Sequence, residues 1–208
     1  MSQAPTQQPS DRLYSISEYL EMVDWPAEKY EYVNGRLVMM AGGSGDHALL
    51  ASRVIRHMGT RLEGKPCEPF GSDLKVRVQR RAIFRYPDVT VICGEPSYED
   101  GHRSVATNPK LIVEVTSEST EHIDRVDKFR EYIGIDSLEE YVIVSHREPA
   151  VDVYFRQGEG TWLFSPVRGI FAVAKLRSLG IEFDLNELYR GISFPPSREA
   201  TSDSKPTA

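Results

Sequence analysis

The run Leu111-Ile-Val-Glu-Val-Thr116 constrains this chain more than any other short stretch of it. β-Branched and aliphatic residues that follow one another without alternation belong to a strand covered on both faces. Such a strand needs a layer above it and a layer below it. Tyr86-Pro-Asp-Val-Thr-Val-Ile-Cys93 has the same character. Helical patterns flank these runs. Ser44 or Asp46 can cap a helix to about Leu62, with Leu50, Ala51, Val54, Ile55, Met58 and Leu62 at helical spacing. A second helix is predicted over about 121–133. Strands and helices in this mixture predict an α/β fold, bordering on α+β, with one central mixed sheet flanked by helices.

The remaining elements are short. Ser15-Ile-Ser-Glu18 can form a capping box opening a helix to about Val23. In YEYVNGRLVMM the Asn34-Gly35 pair predicts an N-terminal hairpin, because a type I′ turn needs positive φ at both positions. Strands are expected at about 74–79 and 83–93, joined near Arg80-Arg81, and then near 140–146, 150–156 and 161–166. A polar loop fills 94–109, and Asp184 caps a closing helix at about 185–190. Residues 1–11 and 195–208 are rich in Pro, Ser, Thr and charge, so they read as disordered tails around a single domain, 12–194.

Composition removes several functions. No stretch approaches the ~18 apolar residues of a membrane helix, and the first dozen residues carry no secretory pattern. Cys67 and Cys93 are too far apart for a CxxC site and too few for a disulfide framework, which predicts a reducing, cytoplasmic setting. A net charge of −6 argues against coating nucleic acid by bulk electrostatics. Residues 74–85 are the exception, with Lys75, Arg77, Arg80, Arg81 and Arg85 and no acid. That stripe suits one local polyanion contact, or the solvated face of an edge hairpin.

Two acids interrupt the apolar runs. Glu114 shares a strand face with Ile112 and Thr116, and there a carboxylate is costly to desolvate unless it is paired or metal-bound. Asp88 follows Pro87 where the second run enters the sheet. Acids on neighbouring apolar strands repel unless a cation or a proton lies between them, and Mg²⁺ prefers such oxygens together with retained water. On the 121–133 helix, Ile123, Val126, Phe129 and Ile133 form the apolar side. Asp124, Lys128 and Tyr132 share another face by i, i+4 spacing, which periodicity does not drive into a core and which an exposed Asp–Lys pair fits as well as a functional one. His47 points toward the packed side of its helix, and the helix dipole at that end favours a neutral ring. Glu31 lies on the first hairpin strand, on the face away from Tyr30 and Tyr32, where an ordinary strand residue would meet solvent. Other chemistries are missing: there is no GxSxG elbow, no GxxxxGK[ST] loop, and no histidine beside either cysteine in sequence.

YPDV, followed 26 positions after Asp88 by the Glu114 of VEVTS, resembles the PD-(D/E)XK nuclease core. The ordered set EYVNG, His47, YPDV, LIVEVTS, Asp124/Lys128/Tyr132 and EYVIV resembles more closely the Uma-type family of restriction-endonuclease-like proteins. The likeness runs from about residue 14 to 190 and implies a restriction-endonuclease-like core acting on DNA with Mg²⁺ or Mn²⁺. On that resemblance Asp88 and Glu114 would hold the metal with the Val115 carbonyl, Glu31 and His47 would complete the ligand shell, and Lys128 would be the catalytic lysine. Thr116 stands where the superfamily's lysine is expected, and the resemblance moves that lysine to Lys128. Arg77, Arg80, Arg81 and Arg85 would contact phosphates, in a homodimer. A non-cleaving nucleic-acid-binding module and a hydrolase of a small phosphorylated substrate are the alternatives.

Overall fold

The structure, a computed structural model, describes residues 12–22, 29–40, 42–78, 81–117, 121–158 and 160–194. Both predicted tails, Val23 and Arg80 lie outside the described residues.

The Leu111–Val115 run is strand β9, and all five of its residues are buried. It sits inside a six-stranded sheet of order β12-β11-β10-β9-β6-β3. The other strands of this sheet are β3 (Cys67–Gly71), β6 (Val89–Cys93), β10 (Glu140–Val144), β11 (Ala150–Gly158) and β12 (Thr161–Arg168), and β9 pairs with β6 and β10. β9 and β10 run parallel and the other pairs antiparallel, so the sheet is mixed. Helix α2 (Gly45–Leu62) covers one face, packing Leu50, Val54, Met58 and Leu62 against Val89, Val91, Val113 and Val115. On the other face Ile112 packs with Tyr141 and Ile143 and with Val76, Val78 and Ile83 of a second sheet. The unbroken apolar pattern of β9 thus has a layer on each side, as the sequence requires.

The second sheet is also six-stranded, so two mixed sheets stand where the sequence suggested one. Its order is β2-β1-β5-β4-β8-β7, from β1 (Tyr30–Val33), β2 (Arg36–Met39), β4 (Lys75–Val78), β5 (Ile83–Arg85), β7 (Tyr98–Glu99) and β8 (His102–Ala106). The expected 83–93 strand is therefore two strands in two different sheets. The break falls at Pro87, whose nitrogen cannot donate to a ladder. The 94–109 loop contains β7 and β8, and β3 lies where the sequence pattern predicts no element. A two-stranded ribbon, β13 (Val173–Leu176) with β14 (Ile181–Asp184), precedes α4 (Leu185–Tyr189), which Asp184 caps as expected. No helix among the described residues is long and apolar enough to cross a membrane.

Several local expectations hold closely. The Ser15–Glu18 capping box opens α1 (Ile16–Glu21), and Ser44 caps α2 by accepting the His47 N–H at 3.2 Å. Asn34 and Gly35 turn the β1–β2 hairpin with φ of 50° and 91°. A Cβ on Gly35 would stand 3.3 Å from the Leu13 side chain and would strain a left-handed backbone. Gly35→Ala is expected to lower the urea midpoint by an amount equal to about 1–2 kcal/mol, with the denaturant slope unchanged.

The cysteine reading needs correction. Cys67 and Cys93 face each other across the β3–β6 pair, with Cα atoms 3.9 Å apart, and form a disulfide. Sequence distance is no guide here, because the antiparallel pairing brings the strand ends together. The reducing setting inferred from two separate thiols therefore loses its premise.

Candidate active site

Asp88 stands immediately before β6, and its Oδ2 accepts the Val115 N–H at 2.7 Å. The carboxylate is thereby held at the end of β9, one peptide group from Glu114. His47, on the first turn of α2, approaches the same Oδ2 with its Nε2 at 3.3 Å. The ring folds back over Gly43, where a Cβ would stand only 2.6 Å from Nδ1. The hydrogen bond to Asp88 raises the His47 pKa against the opposing effect of burial. The Val115 backbone adds to the rise in the ring's pKa. The carboxylate shifts the ring toward the imidazolium, opposite in direction to the effect expected from the helix end. A carboxylate at this distance outweighs the partial charge of a helix terminus.

Glu114 points from the opposite face of β9 toward the helix that follows. Tyr132 donates its hydroxyl to Glu114 Oε1 at 2.8 Å, and Lys128 Nζ lies 3.0 Å from Oε2. The same ammonium is 2.9 Å from Asp124 Oδ1. Glu114, Asp124 and Lys128 are all buried. Burial pushes the Glu114 carboxyl well up, with Lys128 acting against that shift and Asp124 and Asp88 adding to it. Burial also works against the Lys128 ammonium, but Glu114 and Asp124 prevail and hold it protonated. Tyr132 is kept a phenol by burial, with the Glu114 charge adding to that effect.

The helix that supplies these groups opens as a π-helical segment, Ile123–Lys128, and continues as α3, Phe129–Tyr132. Segments of this kind occur often at functional sites. The face shared by Asp124, Lys128 and Tyr132 is real, but it faces inward. Ile123, assigned to the apolar side, is 39% exposed, whereas Asp124 is 1% exposed. Amphipathic pattern placed only part of this helix correctly: Phe129 packs on Tyr141, Tyr154 and Trp162, while Lys128 is buried between Asp124 and Glu114.

Glu31 is buried, but both of its oxygens are taken. Oε2 accepts from Arg85 at 2.5 Å and Oε1 from the Tyr86 N–H at 3.2 Å. Arg85 also makes a bidentate pair with Glu131, at 2.8 Å on each oxygen. Glu31 therefore acts on the site as a nearby charge that helps hold Lys128 protonated. The basic stripe is reassigned for the same reason. Arg85 is buried between two acids and cannot be a phosphate contact, and Lys75 is buried against Tyr19 and Tyr86. Arg77 pairs with Glu99, and Arg81 is exposed in the β4–β5 turn. β4 and β5 are inner strands of their sheet, so alternate side chains turn inward rather than lining an edge. Glu131 was missed because nothing in sequence separates it from a solvated helix residue.

A cleft of about 640 Å³ opens beside His47 and Asp88. Its walls include Met39, Gly43, Ser52, Ile55 and Gly71, and Lys29 stands at its side, bonded to Asp73 at 2.5 Å. Among the described residues no three His, Cys, Asp or Glu side chains form a ready cation cage. Carboxylate and backbone oxygens such as those of Asp88, Glu114 and Val115 are the donor type that Mg²⁺ takes together with several waters, although both Glu114 oxygens are engaged by Tyr132 and Lys128.

The family model described as "Uma2: Putative restriction endonuclease" matches residues 16–186. The chain belongs to the Uma2 family. Relatives in the cyanobacterium Synechocystis carry no assigned role. The uncharacterized protein slr1290 is 34% identical over 180 residues, 86% of this chain and 93% of the relative. The uncharacterized protein sll1609 is 31% identical over 158 residues, 76% and 89% of the two chains. A crystal structure from Anabaena variabilis, described as a putative nuclease belonging to DUF820, superposes with a TM-score of 0.68 at 14% identity. It covers 85% of this chain and 97% of its own, which places this Uma2 chain in the same restriction-endonuclease-like fold.

Proposed function

We propose that this Uma2 protein is a divalent-cation-dependent endonuclease that hydrolyses phosphodiester bonds in DNA. The observation that carries the reading is the end of β9, where Asp88 is tied to the peptide after Glu114 and a buried lysine ammonium touches Glu114. Asp88 and Glu114 would hold Mg²⁺ or Mn²⁺ with the Val115 carbonyl, and His47 would stand beside them as an outer ligand. The bound cation supplies a water of lowered pKa and neutralises charge on the phosphate. Tyr132 orients Glu114, and the Lys128 ammonium stabilises negative charge that develops on the phosphate oxygens. Thr116 has no ammonium with which to take the lysine's part, and its hydroxyl lies 3.0 Å from the His146 ring. Arg77 and Arg81 remain phosphate contacts in this reading, and a homodimer would allow both strands to be cut.

Supercoiled plasmid with Mg²⁺ or Mn²⁺ tests the assignment. Nicking by the wild type, lost in Asp88→Ala and Glu114→Ala, is the expected result. Equal nicking by all three proteins would mark a contaminant and overturn it. Salt-sensitive binding without nicking would mark a non-cleaving module, and neither binding nor nicking would point to a small phosphorylated substrate.

A further inference from the structure

Helix α2 carries a second cavity, of about 430 Å³, lined by Arg56, His57, Thr60, Arg61, Glu187 and Arg190. Arg53 stands next to it and donates to the Leu188 carbonyl at 2.9 Å, near the end of α4. Four guanidiniums thus gather around one carboxylate on a chain of net charge −6. Glu187 is already engaged, accepting from Arg61 at 3.0 Å with the His57 ring at 3.3 Å. Arg56 and Arg190 are exposed, and among the described residues neither is paired with a carboxylate. Burial lowers the Arg53 pKa, and repulsion from Arg190 and Arg56 lowers it further, so these charges crowd one another.

The His57 ring stands among these charges, its Nδ1 2.9 Å from an Arg61 nitrogen and 3.3 Å from Glu187 Oε2. The cluster therefore holds surplus positive charge, which calls for an anion.

We infer that this face of α2 docks the phosphodiester backbone of a DNA duplex, with Arg56 and Arg190 as the phosphate contacts. The inference rests on the nuclease reading and names where that enzyme grips its substrate. A backbone suits the cluster better than a single oxyanion, because Arg53 to Arg61 spans ~12 Å of helix. That length covers about three or four phosphates of one strand. The surface is also continuous with the candidate active site. Ser52 lines the cleft beside Asp88, Arg56 lines the arginine cavity, and the two are i, i+4 neighbours on the helix. One strand can lie along this ridge toward the cleft beside Asp88 and His47.

Fluorescence anisotropy of a short labelled duplex in EDTA reads binding apart from cleavage, at roughly 50 to 200 mM salt. In Arg56→Gln/Arg190→Gln the plot of log affinity against log salt should be shallower by about 1.8, or 0.9 for each phosphate that an arginine no longer neutralises. Lys175→Gln, at a site whose side chain is 73% exposed and whose ammonium lies near Glu182, should leave the slope unchanged. Both arginines are exposed, so an unchanged Tm would show that the double variant is folded. A wild-type slope in the double variant, or displacement of inorganic phosphate without any effect on duplex binding, would overturn the docking site. Either result leaves plasmid nicking to be judged alone. A shallower slope in a protein that never nicks would support the docking site and remove the nuclease reading.

Discussion

Lys128→Met should lose ~100- to 1000-fold in plasmid nicking and about 3–5 kcal/mol of stability. Both effects follow from one ammonium serving two buried carboxylates, Glu114 Oε2 at 3.0 Å and Asp124 Oδ1 at 2.9 Å. Removing it leaves two acids in the interior without a cation, and Glu114 has burial working against its charge already. An exposed i, i+4 pair would cost only ~0.3–0.5 kcal/mol, so the size of the loss separates the inward-facing lysine from a surface one. Urea denaturation reads the stability and plasmid conversion reads the activity, both at a temperature where the variant is folded. Lys128→Met with Glu114→Gln should recover part of the stability and none of the nicking. Wild-type nicking by Lys128→Met would remove the lysine from the mechanism whatever the stability did.

The fold was legible where local chemistry is unambiguous. The β-branched run of β9 demanded two covering layers, and α2 and the second sheet supply them. The helix caps, the Asn34-Gly35 turn and the α2 periodicity read correctly because each depends on residues close in sequence. Long-range pairing was not legible. Cys67 opposite Cys93 and the separation of β5 from β6 are properties of sheet register, and single-chain pattern does not encode that register. At the site, Asp88 and Glu114 stood out because an acid in an apolar strand is costly. The burial of Lys128 was not legible from pattern, which left its face of the helix outward. Amphipathicity points a helix correctly only when the buried face is apolar, and the buried Asp124–Lys128 pair violates that condition. Arg85 leaves the arginine stripe for a related reason: its buried acidic partners, Glu31 and Glu131, lie far from it in sequence.

Arg85→Met is expected to cost about 3–5 kcal/mol and to leave duplex affinity in EDTA unchanged. Arg85 donates to Glu131 through two nitrogens at 2.8 Å and to Glu31 through a third at 2.5 Å, all of them buried. Burial alone would lower its pKa, but Glu131 and Glu31 raise it, so the guanidinium is the fixed charge of the cluster. Without it, two carboxylates are stranded between the sheet of β1 and β5 and the helix that carries Lys128. Removing the whole cluster is a different matter: Arg85→Met with Glu31→Gln and Glu131→Leu should be closer to the wild type than the single variant, since well-packed apolar replacements of buried ion triads are often neutral. The triple variant would also remove the Glu31 charge that helps hold Lys128 protonated, so a nicking rate below that of wild type is expected even where stability returns. A single variant as stable as the wild type but with weakened, less salt-dependent duplex binding would return Arg85 to the surface and to the substrate.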